Sequence, residues 1–431
     1  MTDIVPLALI LFGVVIFLGF IGRMIFEETK IPEVVWLMIL GLLIGYSGAV
    51  DTEMMLTTAP IFAALALAII LFEGGLNMDF YKVMSQFSRA SSLAILNLIF
   101  SIIFIAAASV IIFALFGESL GVYEWGWLYG ILLGTIVGGS SSAIVIPIVR
   151  GLEIREKIIT FLSLESAITD ALCVVSAIAV LELIAAVSAG GPGIAPDAFA
   201  HNILSAFSIG AFIGIAAGIG WLYVSRLIKK VPATHRLDLA VVFLIYGLVE
   251  FVGGSGAISV LFFGIVLGNG NAIARIIKTR KKLEICPGTV TFQMEVIFFV
   301  RTFFFVFLGM LVTIKIVEML IIGIILGILL LAARIIPVYL SSMKTDITRN
   351  EQKFILTMAP RGLAAAVLAQ LPSFPAYNIP NASVFSDLVF VIIMISIMIS
   401  VAGVLLSSRQ KGDEKPGNNS KEVKIEKQNK N

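Results

Sequence analysis

Cysteine and histidine are almost absent from this chain of 431 residues, which has two of each. The cysteines, Cys173 and Cys286, and the histidines, His201 and His235, are far apart in the sequence. Such scattered side chains provide neither a disulfide framework nor the clustered ligands of a His/Cys metal site. We therefore expect no cofactor.

Charge is also scarce, because Asp, Glu, Lys and Arg make up 13% of the residues while hydrophobic residues make up 59%. The mean hydropathy is +1.05. A soluble core does not have this composition, whereas a chain that crosses a lipid bilayer many times does. The net charge of +2 is uninformative about partners, and no nucleic-acid partner is expected.

Long apolar runs fill most of the sequence, and they predict an all-α membrane protein with about 13 transmembrane helices. The first run begins at Ile4 without a basic leader or a small-residue cleavage site, so we interpret it as a retained span and not as a signal peptide. The runs lie roughly at 4–22, 34–50, 60–78, 91–117, 125–149, 158–187, 203–227, 237–252, 257–268, 290–314, 319–340, 354–371 and 385–406.

Basic residues predict the orientation of these spans. Most of the 30 lysines and arginines fall in the odd-numbered loops and in the tail, while acids such as Asp51, Glu118 and Asp197 mark the other side. The positive-inside rule then places the amino terminus outside the cell membrane and the carboxyl terminus in the cytosol. Residues 407–431 are charged and lack apolar periodicity, which predicts a disordered cytosolic tail.

Two runs carry helix-breaking residues in their interior. The fifth contains GGSSSAIVIP at 138–147, and the twelfth contains APRGLAAAVLAQLP at 359–372. Irregular backbone survives in a bilayer only where protein covers it or where it lines a cavity, and paired breaks in two halves of a chain point to a transport site. The sequence therefore predicts two broken helices at a transport site.

An internal echo suggests that the chain arose by duplication. The third run contains FEGGL at 72–76 and the tenth contains FLGML at 307–311. Within a transmembrane domain of residues 1–406, we expect two inverted-topology six-helix repeats at about 1–187 and 237–406. A linker helix at about 203–227 would join them.

Two carboxyl groups, Glu165 and Asp170, lie inside the sixth run. An acid at the middle of a span costs at least about 2.5 kcal/mol on insertion scales, so its default interpretation is a functional site. On a helix Asp170 shares a face with Ser166, whereas the side chains of Glu165 and Asp170 point about 140° away from each other. With hydroxyls at Ser166 and Thr169, Asp170 suits a proton or a dehydrated hard cation. The alternative for either acid is a structural ion pair.

Three arginines lie within predicted spans. Arg361 is beside the break of the twelfth run and needs a carboxylate; Glu165 is the leading candidate, because arginine can grip a carboxylate with two hydrogen bonds. Arg301 either pairs with Glu295 or balances the charge of the ion site. Arg334 is near the end of its run, where snorkelling to the interface is expected.

Other polar residues of the spans have two interpretations each. Ser140 and Ser141 offer hydroxyls and unwound carbonyls to a cation, with helix packing as the alternative. Glu73 either lines an inner funnel that attracts cations or pairs with a lysine at the interface.

The motif ESAITD at 165–170, the stretch FEGGLNMD at 72–79, the interrupted fifth run and the APRG of the twelfth resemble NhaP-type sodium/proton antiporters of the monovalent cation:proton antiporter superfamily. The resemblance covers all thirteen runs. It implies a homodimer with an interface domain and a core domain built around two crossed, partly unwound helices.

The resemblance also implies residue roles. Asp170 would carry the cation and the proton, Ser166, Ser140 and Ser141 would complete the ion shell, and Glu165 would pair with Arg361. The chain departs from the pattern at Thr169, where the family commonly has Asn, and in the fifth run, where serines replace a Thr-Asp pair.

We therefore predict a secondary antiporter, not an enzyme, that exchanges H⁺ for Na⁺ or Li⁺, with K⁺ as the alternative cation. One titrating carboxylate predicts electroneutral exchange. An ion channel would need acceptors along a whole pore, whereas the polar residues here concentrate at one site. A hydrolase would need an intramembrane His or a second acid close to the serines.

Overall fold

The computed structural model describes residues 4–29, 31–48, 52–76, 80–141, 144–145, 154–188, 196–227, 235–276, 287–312, 317–343, 345–374, 377 and 379–413. Within these ranges the chain is helical and contains no strand, as predicted. The helices are α1 (Ile4–Thr29), α2 (Glu33–Tyr46), α3 (Thr52–Leu76), α4 (Phe80–Phe116), α5 (Trp127–Val137), α6 (Glu156–Ser188), α7 (Pro196–Leu227), α8 (His235–Phe251), α9 (Gly256–Gly268), α10 (Gly270–Ile276), α11 (Pro287–Leu311), α12 (Val317–Ser342), α13 (Arg349–Thr357), α14 (Leu363–Leu368) and α15 (Ala382–Asp413), with a 3₁₀ turn at Leu371–Ser373.

The described helices are those of a multi-pass membrane protein. Six segments are long and apolar enough to cross a bilayer. α9 and α10 form a seventh if they count as one span, although they are bent by 83° relative to each other. Shorter apolar helices occur in α1, α2, α3 and α5 and at 363–373. The predicted number of thirteen spans stays a prediction.

Both predicted breaks occur in the structure. α5 ends at Val137, residues 138–141 are not helical, and helix resumes at Ile144. α13 ends at Thr357, and five non-helical residues precede α14. Glycine weakens the helix in the first break, and Pro360 has no backbone donor in the second. Ser142 and Pro147 lie outside the described residues.

The two breaks contact each other. The Ser141 backbone N–H donates to the Pro360 carbonyl over 2.8 Å, which satisfies one polar group freed by each interruption. Gly362 allows this approach, because a Cβ there would collide with the Ser141 side chain. Two unwound segments therefore meet inside the protein, as the sequence predicted.

Glycines also permit close packing of two helix pairs outside this centre. α2 packs on α11, where a Cβ on Gly41 would collide with the Val306 carbonyl. α3 packs on α9, where a Cβ on Gly75 would collide with the Leu261 carbonyl. Small residues that let backbones approach are typical of helix contacts in membranes.

Packing around the breaks places α6 at the centre of one group of helices. α4 packs on α5, α6 and α12, and α12 packs on α13 and α15. The pairs α4–α6 and α12–α15 occupy corresponding places in the two predicted halves.

The last helix is longer than predicted. α15 runs to Asp413, whereas the disordered tail was expected from residue 407. Arg409, Gln410 and Lys411 are good helix formers, so the helix continues past the last apolar residues. Residues 414–431 lie outside the described residues.

Candidate functional site

Glu165 is fully buried and paired with Arg334, which corrects the predicted pair with Arg361. Arg334 Nη1 donates to Glu165 Oε1 over 2.9 Å and Nη2 donates to Oε2 over 3.1 Å. The Nε of Arg334 donates to the Ile355 carbonyl over 3.3 Å. Arg334 is buried because α12 turns it towards α6, so the predicted snorkelling is wrong. Sequence position alone could not indicate which way this face of α12 points.

Arg361 is also buried, but it has no carboxylate as a hydrogen-bond partner in the described part of the chain. Its Nη1 donates to the Ala359 carbonyl over 3.2 Å, and its Nε has no partner. Glu165 and Asp170 are both close enough to interact with it electrostatically. Arg361 therefore contributes positive charge to the site without neutralising one particular acid.

Asp170 lies against the break that follows α5. A Cβ added to Gly139 would be 3.4 Å from Asp170 Oδ1 and 3.2 Å from Cys173 Sγ, so the carboxylate and the thiol flank this glycine. The described residues give Asp170 no hydrogen bond and no salt bridge, although Arg361 interacts with it electrostatically. Of the two predicted acids, Asp170 is thus the one whose oxygens are free to bind something else.

Three predicted hydroxyl residues come together beside Asp170. The Ser166 hydroxyl donates to the Ser140 carbonyl over 2.7 Å, and the Thr169 hydroxyl donates to the Ser166 carbonyl over 2.9 Å. Thr169 Oγ1 accepts from the Ser140 backbone N–H over 3.3 Å. The Ser140 hydroxyl donates to Glu165 Oε2 over 2.9 Å. These bonds fix the backbone of the break on one face of α6.

The hydroxyl protons of Ser140 and Thr169 point at a carboxylate and a carbonyl oxygen, so these two side chains present oxygen lone pairs at the break. Ser141, the other predicted serine, is buried and uses its backbone N–H to reach Pro360. The arrangement thus places neutral oxygens at the break that Asp170 abuts.

Arg301 and Glu73 lie in a separate charged group. Arg301 forms a salt bridge with Glu33, at the start of α2, while Glu295 is exposed. The predicted pair with Glu295 is therefore wrong, because the side chain of Arg301 faces α2. Arg301 also interacts electrostatically with Glu73.

A further set of charged side chains joins the start of α6 to α13 and the segment before it. We call these four residues the loop cluster: Arg155, Lys157, Asp346 and Glu351. Arg155 pairs with Glu351, and Lys157 Nζ lies 2.6 Å from Asp346 Oδ1. The hydrogen bond from Lys157 holds the pKa of Asp346 below its usual value. Burial raises the pKa of Glu351, but the hydrogen bonds from Arg155 and Thr348 outweigh that effect and lower it.

The sequence interpretation missed Asn97, an amide inside the apolar α4. Its Nδ2 donates to the Gly138 carbonyl over 2.8 Å, and the residue is 1% exposed. A single asparagine in the run LAILNLIF is a signal that could have been used, because polar side chains in membrane spans generally have a partner or a function.

Comparison with known proteins gives a family and a fold to which the chain is similar. A family described as "Sodium/hydrogen exchanger, transmembrane" matches residues 13–407. A protein named "K(+)/H(+) antiporter NhaP2" from Shewanella sp. (strain ANA-3) is 26% identical over 361 residues, which make up 82% of this chain and 58% of that relative. The chain therefore corresponds to less than two thirds of that relative.

Two proteins of Methanocaldococcus jannaschii match over nearly their whole length. One named "Probable Na(+)/H(+) antiporter 2" is 25% identical over 426 residues, with 92% of this chain and 96% of that protein covered. The structure of the sodium proton antiporter MjNhaP1 matches with a TM-score of 0.70 at 21% identity, covering 95% of this chain and 97% of that one. The second match shows a shared fold.

Proposed function

Because the chain belongs to the sodium/hydrogen exchanger family, we propose that it exchanges H⁺ for a monovalent cation across a membrane. Asp170 is the shared carrier, which binds either a proton or the cation and never both. Competition for one carboxylate couples the two flows, because protonation and cation binding displace each other.

The observation that carries this proposal is the difference between the two acids of α6. Both oxygens of Glu165 are occupied by Arg334, whereas Asp170 has neither a hydrogen bond nor a salt bridge in the described residues. A free carboxylate beside an unwound backbone is the arrangement that transporters use for coupling ions. Ser166, Thr169, Ser140 and Ser141 supply the neutral oxygens of the proposed ion shell.

The same difference supports electroneutral exchange of one H⁺ for one cation. Arg334 occupies both oxygens of Glu165, and Thr169 cannot ionise. A single titrating carboxylate therefore moves no net charge. If vesicles are polarised with valinomycin and Na⁺ is the substrate, we expect the exchange rate to stay the same. Acceleration under one polarity would mean that a second acid releases a proton.

We propose Na⁺ or Li⁺ as the cation. K⁺ is the alternative, since the Shewanella relative is named a K⁺/H⁺ antiporter and the Methanocaldococcus relative a probable Na⁺/H⁺ antiporter. The two are separated by imposing a pH gradient on vesicles and scanning Li⁺, Na⁺, K⁺ and Rb⁺. Flux that neither saturates nor needs a counter-ion would instead indicate a channel.

Movement of a core domain against an interface domain would carry the loaded site across the membrane. Matching helix contacts support the two predicted inverted repeats. The contact of α2 with α11 corresponds to the contact of α9 with α3, and the contact of α4 with α6 corresponds to the contact of α12 with α15. The homodimer and the external amino terminus stay predictions of the sequence. Native mass spectrometry tests the first, and labelling of a cysteine placed at Asp197 from outside tests the second.

Asp170→Asn tests the proposal, because the neutral amide can neither release a proton nor replace the carboxylate charge. We expect reconstituted protein to lose exchange while its melting temperature is maintained. Glu182→Gln is the matched control, a neutralised acid on the same helix, and it should exchange normally. Exchange by Asp170→Asn at a rate near that of the wild type would show that Asp170 is not the carrier.

A further inference from the structure

Asn97 and Asp170 contact the same break, the one that follows α5, but they lie on different helices, α4 and α6. Its amide nitrogen binds the carbonyl of Gly138, and the next residue, Gly139, is the one that abuts Asp170 Oδ1. Asn97 on α4 and Asp170 on α6 thus flank two consecutive residues of the unwound segment.

The orientation of the Asn97 amide follows from its partner. A carbonyl oxygen only accepts hydrogen bonds, so the NH₂ group must face Gly138 and Oδ1 must point away from it. Oδ1 is buried and has no hydrogen-bond partner in the described residues. A buried polar atom without a partner is costly, and such an atom in a native structure calls for an explanation.

We propose that Asn97 is a further ligand of the transported cation, with its Oδ1 adding a neutral oxygen to the carboxylate of Asp170. This inference rests on the proposed exchange activity. A cation bound at the break satisfies the vacant lone pairs of Oδ1, and the bond to Gly138 holds the amide in place to receive it. Because α4 would supply an oxygen of fixed position, Asn97 contributes to selection between Na⁺ and K⁺.

The competing role for Asn97 is structural, in which it only caps the Gly138 carbonyl. The two roles depend on different atoms of the amide. Asn97→Leu removes both the donor and the acceptor, whereas Asn97→Asp keeps an oxygen at the Oδ1 position, loses the donor and adds a negative charge. Ser109→Ala is a matched control on α4, because Ser109 is equally buried and bonds only to the Ala106 carbonyl.

The experiment measures the apparent KM for Li⁺, Na⁺, K⁺ and Rb⁺ in reconstituted vesicles, together with the melting temperature of each variant. We expect Asn97→Leu to raise the KM for the preferred cation about tenfold, the loss expected for one ligand, and to change the ratio of KM for Na⁺ to KM for K⁺. Asn97→Asp should bind the cation at least as tightly as the wild type. Ser109→Ala should leave the KM values and their ratio unchanged.

Three results overturn the inference: an unchanged KM in Asn97→Leu, an equal rise in KM in both Asn97 variants, or a maximal rate that falls in both while the KM ratio stays constant. If Asn97→Leu does not fold, Asn97→Asp decides alone, since a KM for the preferred cation at or below the wild-type value supports the ligand role and a raised KM refutes it. Wild-type exchange that is lost in Asp170→Asn establishes the activity separately. A failure of that control refutes the proposed function, whereas a failure of the Asn97 variants alone refutes only this inference.

Discussion

Two groups of charges connect α6 to the second half of the chain, and each contains an arginine bound to a carboxylate. The pair Glu165–Arg334 is buried in the protein, whereas the loop cluster is in contact with solvent. The side chains of Glu165 and Arg334 are 1% and 0% exposed. Arg155 and Asp346 in the loop cluster are 46% and 55% exposed. The same chemistry therefore has different consequences, because water can solvate a broken pair in one place and not in the other.

The buried pair also decides which acid remains available. Removal of either partner would leave a charge stranded in a low-dielectric interior, so Glu165 and Arg334 stay together. Asp170, five residues further along α6, has no salt bridge in the part of the chain that the structure describes. In the loop cluster no such division arises for Arg155 and Asp346, since both side chains are exposed enough to exchange their partner for water.

The largest stability effect is expected for breaking the buried pair. Glu165→Gln and Arg334→Gln should each lower the free energy of unfolding by about 3 to 5 kcal/mol, because each strands one buried charge. The double variant should recover part of the sum. Thermal or denaturant unfolding in detergent measures all three. Strictly additive losses would show that the two residues do not interact.

Arg361→Gln should have a smaller effect, and this sharpens the comparison within the buried region. Arg361 has no carboxylate hydrogen-bonded to it in the described residues, so its removal breaks the bond to the Ala359 carbonyl, about 1 kcal/mol, and weakens a longer-range attraction to Glu165 and Asp170. The same unfolding measurement checks it beside Arg334→Gln. Equal losses for the two arginines would contradict the assignment of Arg334 as the partner of Glu165.

Arg155→Gln should leave the melting temperature within the scatter of replicate measurements at physiological salt, because exposed ion pairs contribute little and are screened. A fall that appears only at low ionic strength would agree with this expectation. A fall at physiological salt as large as that of Arg334→Gln would remove the distinction between the two regions.

Another small effect is a pH dependence of the loop cluster. The folded-state pKa of Asp346 is lowered, so its stabilisation is fully present above the unfolded-state pKa of about 3.9 and is lost as the pH falls through the folded-state value. Asp346→Asn should therefore melt slightly below the wild type at pH 6 to 7, and the difference should shrink as the pH falls below the unfolded-state pKa. A difference that grows on acidification would contradict the sign of this shift.

Much of the fold could be predicted because a bilayer imposes strong rules on sequence. Backbone polar groups must be satisfied within helices, so apolar runs indicate α-helical spans and their interior glycines and prolines indicate breaks. The breaks near Gly138 and Pro360 were found in this way. The count of thirteen spans and the inverted repeats go beyond what the described residues establish.

The sequence by itself determined that Glu165 and Asp170 differ, since five residues on an α-helix separate their faces by about 140°. Only the tertiary structure decided that Arg334 binds Glu165, that Arg301 binds Glu33, and that Asn97 is at the break beside Asp170. Helical spacing fixes directions around one axis, whereas these contacts depend on how separate helices are rotated and translated against one another. Packing of side chains from distant parts of the chain sets that rotation, and local sequence does not contain it.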